Sequence, residues 1–122
     1  MPLSCSTEQM ASRNALIQAP PYPVEQAIKR LGANLRTARL RRNLTIEEVA
    51  EKIGTGPRAV SDAEKGKVST GIAIYIALLW AYDLLGAMED LGDPARDAEG
   101  LALARTHERA RARHAEGLDD EF

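Results

Sequence analysis

From Val24 onward, the apolar residues of the chain recur at helical spacings. The first run has members three and four residues apart, which places them on one face of a helix. Asn43 is expected to end this helix, because asparagine tolerates the left-handed conformation. The apolar residues of this face are Ile28, Leu31, Leu35 and Ala38.

Two shorter helices are predicted next, separated by a three-residue turn. Thr45 to Glu48 matches a capping box, in which each side chain accepts a hydrogen bond from the backbone N–H of the other residue. Gly54 is expected to end that helix with a positive φ. Pro57 opens the following helix at its first position, where a missing N–H costs nothing, and Gly66 closes it.

A fourth helix is predicted from Ile72 to about Leu85, and apolar residues surround it almost completely. A helix without a polar stripe must be covered on more than one side. In so small a domain we expect a second copy of the chain to supply the second cover; the alternative is that other helices of the same monomer do so. The residues assigned to this dimer or core face are Ile76, Leu79 and Trp80.

The segment before the first helix shows no sustained apolar period. Three prolines between positions 20 and 23 interrupt any helix there, so residues 1–23 are predicted to be a disordered arm. The helical domain is assigned to residues 24–92.

Residues 93–122 are assigned to a C-terminal extension. Asp93 and Pro94 are expected to open a last helix running from about Ala95 to Glu116, which Gly117 ends. Arg105, Arg109 and Arg113 lie four residues apart along one face of this helix. The final five residues form an acidic tail, in which Leu118 and Phe122 are the candidate partner-binding residues.

Composition supports an all-helical protein. The chain has 122 residues, of which 44% are apolar and only 4% aromatic, and so few aromatics argue against a β-sandwich or barrel. The lone cysteine, Cys5, excludes an internal disulfide and metal sites of several thiolates. No signal peptide or membrane span is apparent, so a cytoplasmic, nucleoid-associated protein is expected, without cofactor or metal.

Charge divides the chain into two parts. Residues 24–66 contain nine Lys or Arg against six acids, a net charge of +3, whereas residues 83–122 contain eleven acids and five arginines, a net charge of −6. A basic module joined to an acidic extension suggests two partners of opposite charge.

The two short helices carry a helix-turn-helix pattern. Ala50 supplies a small residue where the helices touch, Gly54 lies in the turn, and Val60 is a branched residue that locks the second helix onto the first. The capping box, the basic first helix and the apolar fourth helix agree with this pattern, and such agreement between levels strengthens it.

Over about Leu31 to Leu85 the chain resembles the lambda-repressor-like (XRE) family of bacterial helix-turn-helix regulators. The residues that carry the resemblance are Leu35, Arg36, Arg39, Asn43 to Thr45, Glu48 to Gly54, Val60, Ser61 and Glu64 to Lys67. The resemblance implies a five-helix DNA-binding domain, here with a helical extension, and a structural ion pair between Arg39 and Glu64. The chain departs from the usual pattern at three positions. The family usually has glutamine at the position of Ile46, and polar residues at the positions of Gly56 and Pro57.

A helix-turn-helix places the exposed face of its second helix in the major groove of double-stranded DNA. The candidate base readers are Pro57, Arg58, Ser61 and Asp62. Arg58 can donate two hydrogen bonds to guanine, and Asp62 can accept from cytosine. The candidate phosphate contacts are Arg36, Arg41, Arg42, Thr45, Lys65 and Lys67.

A looser resemblance links the chain to HipB-type antitoxins, which are encoded beside a HipA-like kinase toxin. It rests on the stretches Ser69 to Gly71, Ala77 to Tyr82 and Asp93 to Asp97, followed by a basic helix. It implies a repressor whose first part holds operator DNA and whose extension docks on a toxin. Separately, we expect a twofold dimer through the fourth helix and the segment after it, bound to an inverted repeat. The alternative is a protein-interaction or toxin-neutralising adaptor with little DNA binding. No catalytic constellation is found, since His107 and His114 lie on a charged helix without other ligands beside them.

Overall fold

The computed structural model describes residues 15–120, with side chains described for residues 15–116. The helices are α1 (Tyr22–Arg41), α2 (Ile46–Ile53), α3 (Pro57–Glu64), α4 (Ile72–Ala81) and α5 (Ala98–Asp120), with short 3-10 helices at Leu85–Asp90 and Pro94–Arg96. No β-strand occurs between residues 15 and 120. The prediction of an all-α fold is therefore confirmed.

The described part of the chain forms two units, which divide between Leu85 and Gly86. The first unit contains α1 to α4. The 3-10 helix Leu85–Asp90 that follows α4 has no buried residue. The second unit contains α5.

The core of the first unit lies where the four helices meet. Leu35 from α1, Val49 from α2, Val60 from α3 and Leu78 from α4 are each at most 1% exposed. The helices pack together because each short helix has one apolar face and can bury it only against the others.

Helix α1 begins at Tyr22 instead of Val24, and residues 15–18 also form a helical turn. Helical structure therefore extends into the segment predicted to be a disordered arm. Proline is tolerated in the first turn of a helix, and Pro23 occupies such a position here. Residues 1–14 lie outside the described part of the chain.

The end of α1 follows the prediction. Asn43 adopts a left-handed conformation with φ of 55°. The next residue, Leu44, donates its N–H to the Arg39 carbonyl over 3.3 Å, and Asn43 donates to Leu40 over 3.0 Å. These two hydrogen bonds form a Schellman motif, which satisfies carbonyls that the helix end would otherwise leave free.

Helix α4 ends at Ala81 and not near Leu85 as predicted. Asp83 adopts a left-handed φ of 59°, and Leu84 donates its N–H to the Leu79 carbonyl over 2.8 Å, which again gives a Schellman motif. The sequence does not reveal this stop, because neither glycine nor proline marks it. The buried ring of Tyr82 holds the chain at this turn.

The start and end of the last helix also differ from the prediction. Asp93 caps only the 3-10 helix Pro94–Arg96, by accepting a hydrogen bond from the Ala95 N–H. The α-helix begins at Ala98, where the Asp97 carboxylate accepts from the Gly100 N–H over 2.9 Å. It continues to Asp120, so Gly117 does not end it.

Candidate nucleic-acid interface

The helix-turn-helix consists of α2, a short turn and α3. Ala50 is 1% exposed and Val60 is fully buried, and both belong to the core in which the two helices pack. Gly54 has φ of 82°, a value that favours glycine, and it ends α2 as predicted. Of the predicted packing residues, Ala50 and Val60 therefore lie in the core and Gly54 lies in the turn.

An ion pair fastens α3 to α1. Arg39 Nε donates to Glu64 Oε2 over 2.7 Å and Nη2 donates to Oε1 over 3.0 Å, while Nη1 donates to the Leu44 carbonyl over 2.9 Å. The two side chains are only 10% and 5% exposed. The hydrogen bond to Glu64 raises the pKa of Arg39. The structure thus brings together Arg39 and Glu64, the pair that the family resemblance implies. This ion pair fixes the orientation of α3 relative to α1.

With Val60 and Ala63 buried, the opposite side of α3 faces outward. Pro57 and Arg58 are exposed at the first turn of the helix, and Ser61 and Asp62 are half-buried further along it. A guanidinium at the exposed start of such a helix can donate the two hydrogen bonds that the O6 and N7 atoms of guanine accept.

Asp62 is engaged within the protein. Its carboxylate lies 3.2 Å from Lys67 Nζ, and its carbonyl accepts from the Lys67 N–H over 3.1 Å. Asp62, a predicted base reader, and Lys67, a predicted phosphate contact, therefore form one pair. The lysine offsets a negative charge that DNA phosphates would repel.

Tyr75 in α4 holds the turn after α3. Its hydroxyl donates to the Lys67 carbonyl over 3.0 Å, and its ring is 6% exposed. Burial raises the pKa of this phenol. The sequence analysis missed this residue, because an aromatic residue in an apolar helix gives no sign of which carbonyl its hydroxyl reaches.

The candidate phosphate contacts fall into two groups. Arg36, Arg41 and Lys65 are exposed. Arg42 is also exposed, but its guanidinium donates to the Ala38 carbonyl over 2.9 Å and to the Tyr82 carbonyl over 2.8 Å, so it links the ends of α1 and α4.

Thr45 is also engaged within the protein. Its hydroxyl accepts from the Glu48 N–H over 3.1 Å, and the Glu48 carboxylate accepts from the Thr45 N–H over 3.3 Å, which forms the predicted capping box. The capping box uses the backbone N–H groups of Thr45 and Glu48, so those of Ile46 and Glu47 can still donate to an anion. The carboxylates of Glu47 and Glu48 compete for the same positive helix end.

Tyr82 lies beside this framework with 1% exposure, and its hydroxyl has no hydrogen-bond partner within the described part of the chain. The Arg42 guanidinium carbon lies 5.6 Å from the centre of its ring. Burial raises the pKa of Tyr82 to about 12, and the negative charge of Glu64 acts in the same direction.

The outer face of α4 is apolar. Ile72 is 69% exposed and Trp80 is 55% exposed, while Ile76 between them and Leu79 towards the core are half-buried. Lys52 Nζ lies 5.8 Å from the centre of the Trp80 ring. Of the predicted dimer or core residues, Trp80 is therefore the most accessible.

One predicted site, the partner-binding tail, cannot be compared with the structure. The tail residues Leu118 and Phe122 fall outside the residues whose side chains are described. Among the helices between residues 15 and 120, none combines the length and apolar character needed to span a bilayer.

A buried helix-turn-helix seam, a locked α3 and an outward-facing Arg58 define a helix-turn-helix DNA-binding module. The family model described as "Helix-turn-helix domain" matches residues 30–91, more than half of the chain. The chain belongs to this family and is a DNA-binding regulator of the helix-turn-helix class. No curated protein and no solved structure gave a match.

Proposed function

We propose that this regulator is a sequence-specific repressor of the lambda-repressor-like type that binds an inverted-repeat operator as a dimer. We further propose that it is the antitoxin of a HipBA-like pair and represses its own operon. The observation that carries the DNA-binding part is the exposure of Pro57 and Arg58 on a helix whose other side is buried and ion-paired.

The dimer is supported by the outer face of α4. Exposed tryptophan and isoleucine side chains on one helix face lose unfavourable contact with water when a second copy covers them. A twofold dimer would place two copies of α3 about 34 Å apart, one turn of DNA, which matches an inverted repeat.

The antitoxin role is supported by the resemblance to HipB-type antitoxins and by the charge division between the two parts of the chain. The basic first part suits DNA. The extension, with Leu118 and Phe122 in its tail, would dock on the kinase toxin, since a tail with an aromatic anchor is a common means of regulated binding.

The test is a gel-shift titration with DNA from upstream of the gene and with a shuffled duplex of equal length, repeated at rising salt. A repressor should prefer the upstream duplex, and the logarithm of its affinity should fall steeply with the logarithm of salt concentration. Equal, weak binding to both duplexes would contradict the operator. Co-purification with the product of the neighbouring gene tests the toxin partner separately.

A second candidate is an adaptor that neutralises a partner with little DNA binding of its own. Glu47 and Glu48 in the first turn of α2 favour it, because they place negative charge beside Thr45, where a phosphate contact is expected. An adaptor would co-purify with its partner and give no specific gel shift.

A further inference from the structure

The second unit contains α5, which is exposed along most of its length. Every residue from Leu101 to Glu116 in α5 is exposed, and the family match ends at residue 91, before this helix begins. A helix in water without tertiary packing is only marginally stable. A binding partner would stabilise α5, and the side chains on its surface indicate the chemistry of that partner.

Three arginines form a stripe along α5. Arg105, Arg109 and Arg113 follow one another at intervals of four residues, so successive side chains lie about 6 Å apart along the axis and about 40° apart around it. Like charges at this spacing destabilise an isolated helix. Within residues 15–116, the ion pairs involve none of the three.

The stripe is locally basic although the extension is acidic overall. Between residues 101 and 115 there are four arginines and one acid, Glu108, so this stretch has a net charge of +3. The other acids of the extension lie before residue 100 or after residue 115. Because charges are screened over about 8 Å at physiological salt, most of them act weakly at the middle of the stripe.

We propose that the arginine stripe of α5 binds the phosphate backbone of duplex DNA, as a contact additional to that of the helix-turn-helix. This inference rests on the proposed DNA-binding function. DNA presents a regular line of negative charge, and the guanidinium fork pairs with phosphate through two parallel hydrogen bonds. An acidic protein could also meet the stripe, but the chain belongs to a DNA-binding class, which favours DNA.

The experiment compares full-length variants on a shuffled duplex of about three helical turns, at several salt concentrations. The test variant is Arg109→Gln, and the matched control is Arg111→Gln, which removes the same charge about 160° around the same helix. A triple variant carries Arg105→Gln, Arg109→Gln and Arg113→Gln. Glutamine is a good helix former, so circular dichroism should be unchanged.

The slope of log affinity against log salt should become shallower by about 0.9 for Arg109→Gln and by about 2.7 for the triple variant, and Arg111→Gln should match the wild type. Equal slopes for wild type and triple variant overturn the proposal and leave an acidic protein as the partner of the stripe.

The two proposals fail in distinguishable ways. A wild type that binds upstream and shuffled duplexes equally, while the triple variant still loses slope, contradicts only the operator. If the wild type prefers the upstream duplex and the triple variant has the same salt slope as the wild type, only the proposal for the arginine stripe is contradicted. Absence of binding to either duplex at low salt overturns both.

Discussion

The backbone of Gly32 in α1 lies directly against that of Gly66, the residue that closes the turn after α3. A β-carbon on Gly32 would come within 2.9 Å of the Gly66 nitrogen and would also collide with the carbonyls of Ala63 and Glu64. Gly66 itself has φ of 71°, which favours glycine. This contact sets how closely α1 approaches the end of α3.

Replacing Gly32 with alanine should therefore destabilise the protein, by about 1–3 kcal/mol, because backbone atoms cannot move aside as side chains do. Helix propensity alone predicts the opposite sign, since alanine stabilises a helix interior. Urea unfolding measures the change. Gly86→Ala is the control, since a β-carbon there meets nothing within 4 Å; equal stability of the two variants would refute the close contact.

Breaking the Arg39–Glu64 pair should cost about 3–5 kcal/mol, because either single replacement leaves a buried charge without its partner. Arg39→Met and Glu64→Leu should each show this loss in urea unfolding. The double variant should recover much of it, since both charges are then absent. Additive losses in the double variant would mean that the two side chains act independently.

The pKa of about 12 at Tyr82 predicts a loss of stability in alkali. Between pH 10 and 12 the unfolded chain releases the phenolic proton while the folded protein retains it, so the free energy of unfolding falls as pH rises, by about 2 kcal/mol in all. Tyr82→Phe should lack this component. Urea unfolding at pH 8 and pH 11 for both proteins measures it, and identical pH dependence would contradict the burial of the hydroxyl.

Arg58→Ala should weaken binding to the operator by about 1–3 kcal/mol and relax the preference for one base pair. Arg36→Ala removes a predicted phosphate contact and should weaken binding to all sequences alike, reducing the salt slope by about 1. Titrations on operator and shuffled duplexes separate the two patterns. If Arg58→Ala lowers both affinities equally, Arg58 does not read a base.

Ile72→Glu should shift the proposed dimer to monomer, because it places a charge on the apolar outer face of α4. The fold should tolerate it, since Ile72 is 69% exposed and glutamate suits the first turn of a helix. Sedimentation at micromolar concentration measures the change. Leu40→Glu, on the exposed surface of α1, is the control; a wild type that sediments as a monomer would contradict the dimer.

The amino-acid sequence by itself determined the helix-turn-helix and most of its boundaries. The capping box at Thr45, the left-handed turns at Asn43 and Gly54, and the start of α3 at Pro57 all depend on residues a few positions apart. Local conformational preferences therefore suffice to predict them. The pairing of Arg39 with Glu64 was predicted as well, although through family resemblance.

Only the tertiary structure decided the contacts between distant positions. The close approach of Gly32 to Gly66, the hydrogen bond from Tyr75 to Lys67 and the use of Arg42 to hold Tyr82 join residues whose types allow many partners. The early end of α4 also depends on the tertiary structure. The sequence pattern predicts a helix to about Leu85, but the burial of Tyr82 is accompanied by a helix end at Ala81. Packing selects one partner among several that a linear pattern leaves equivalent.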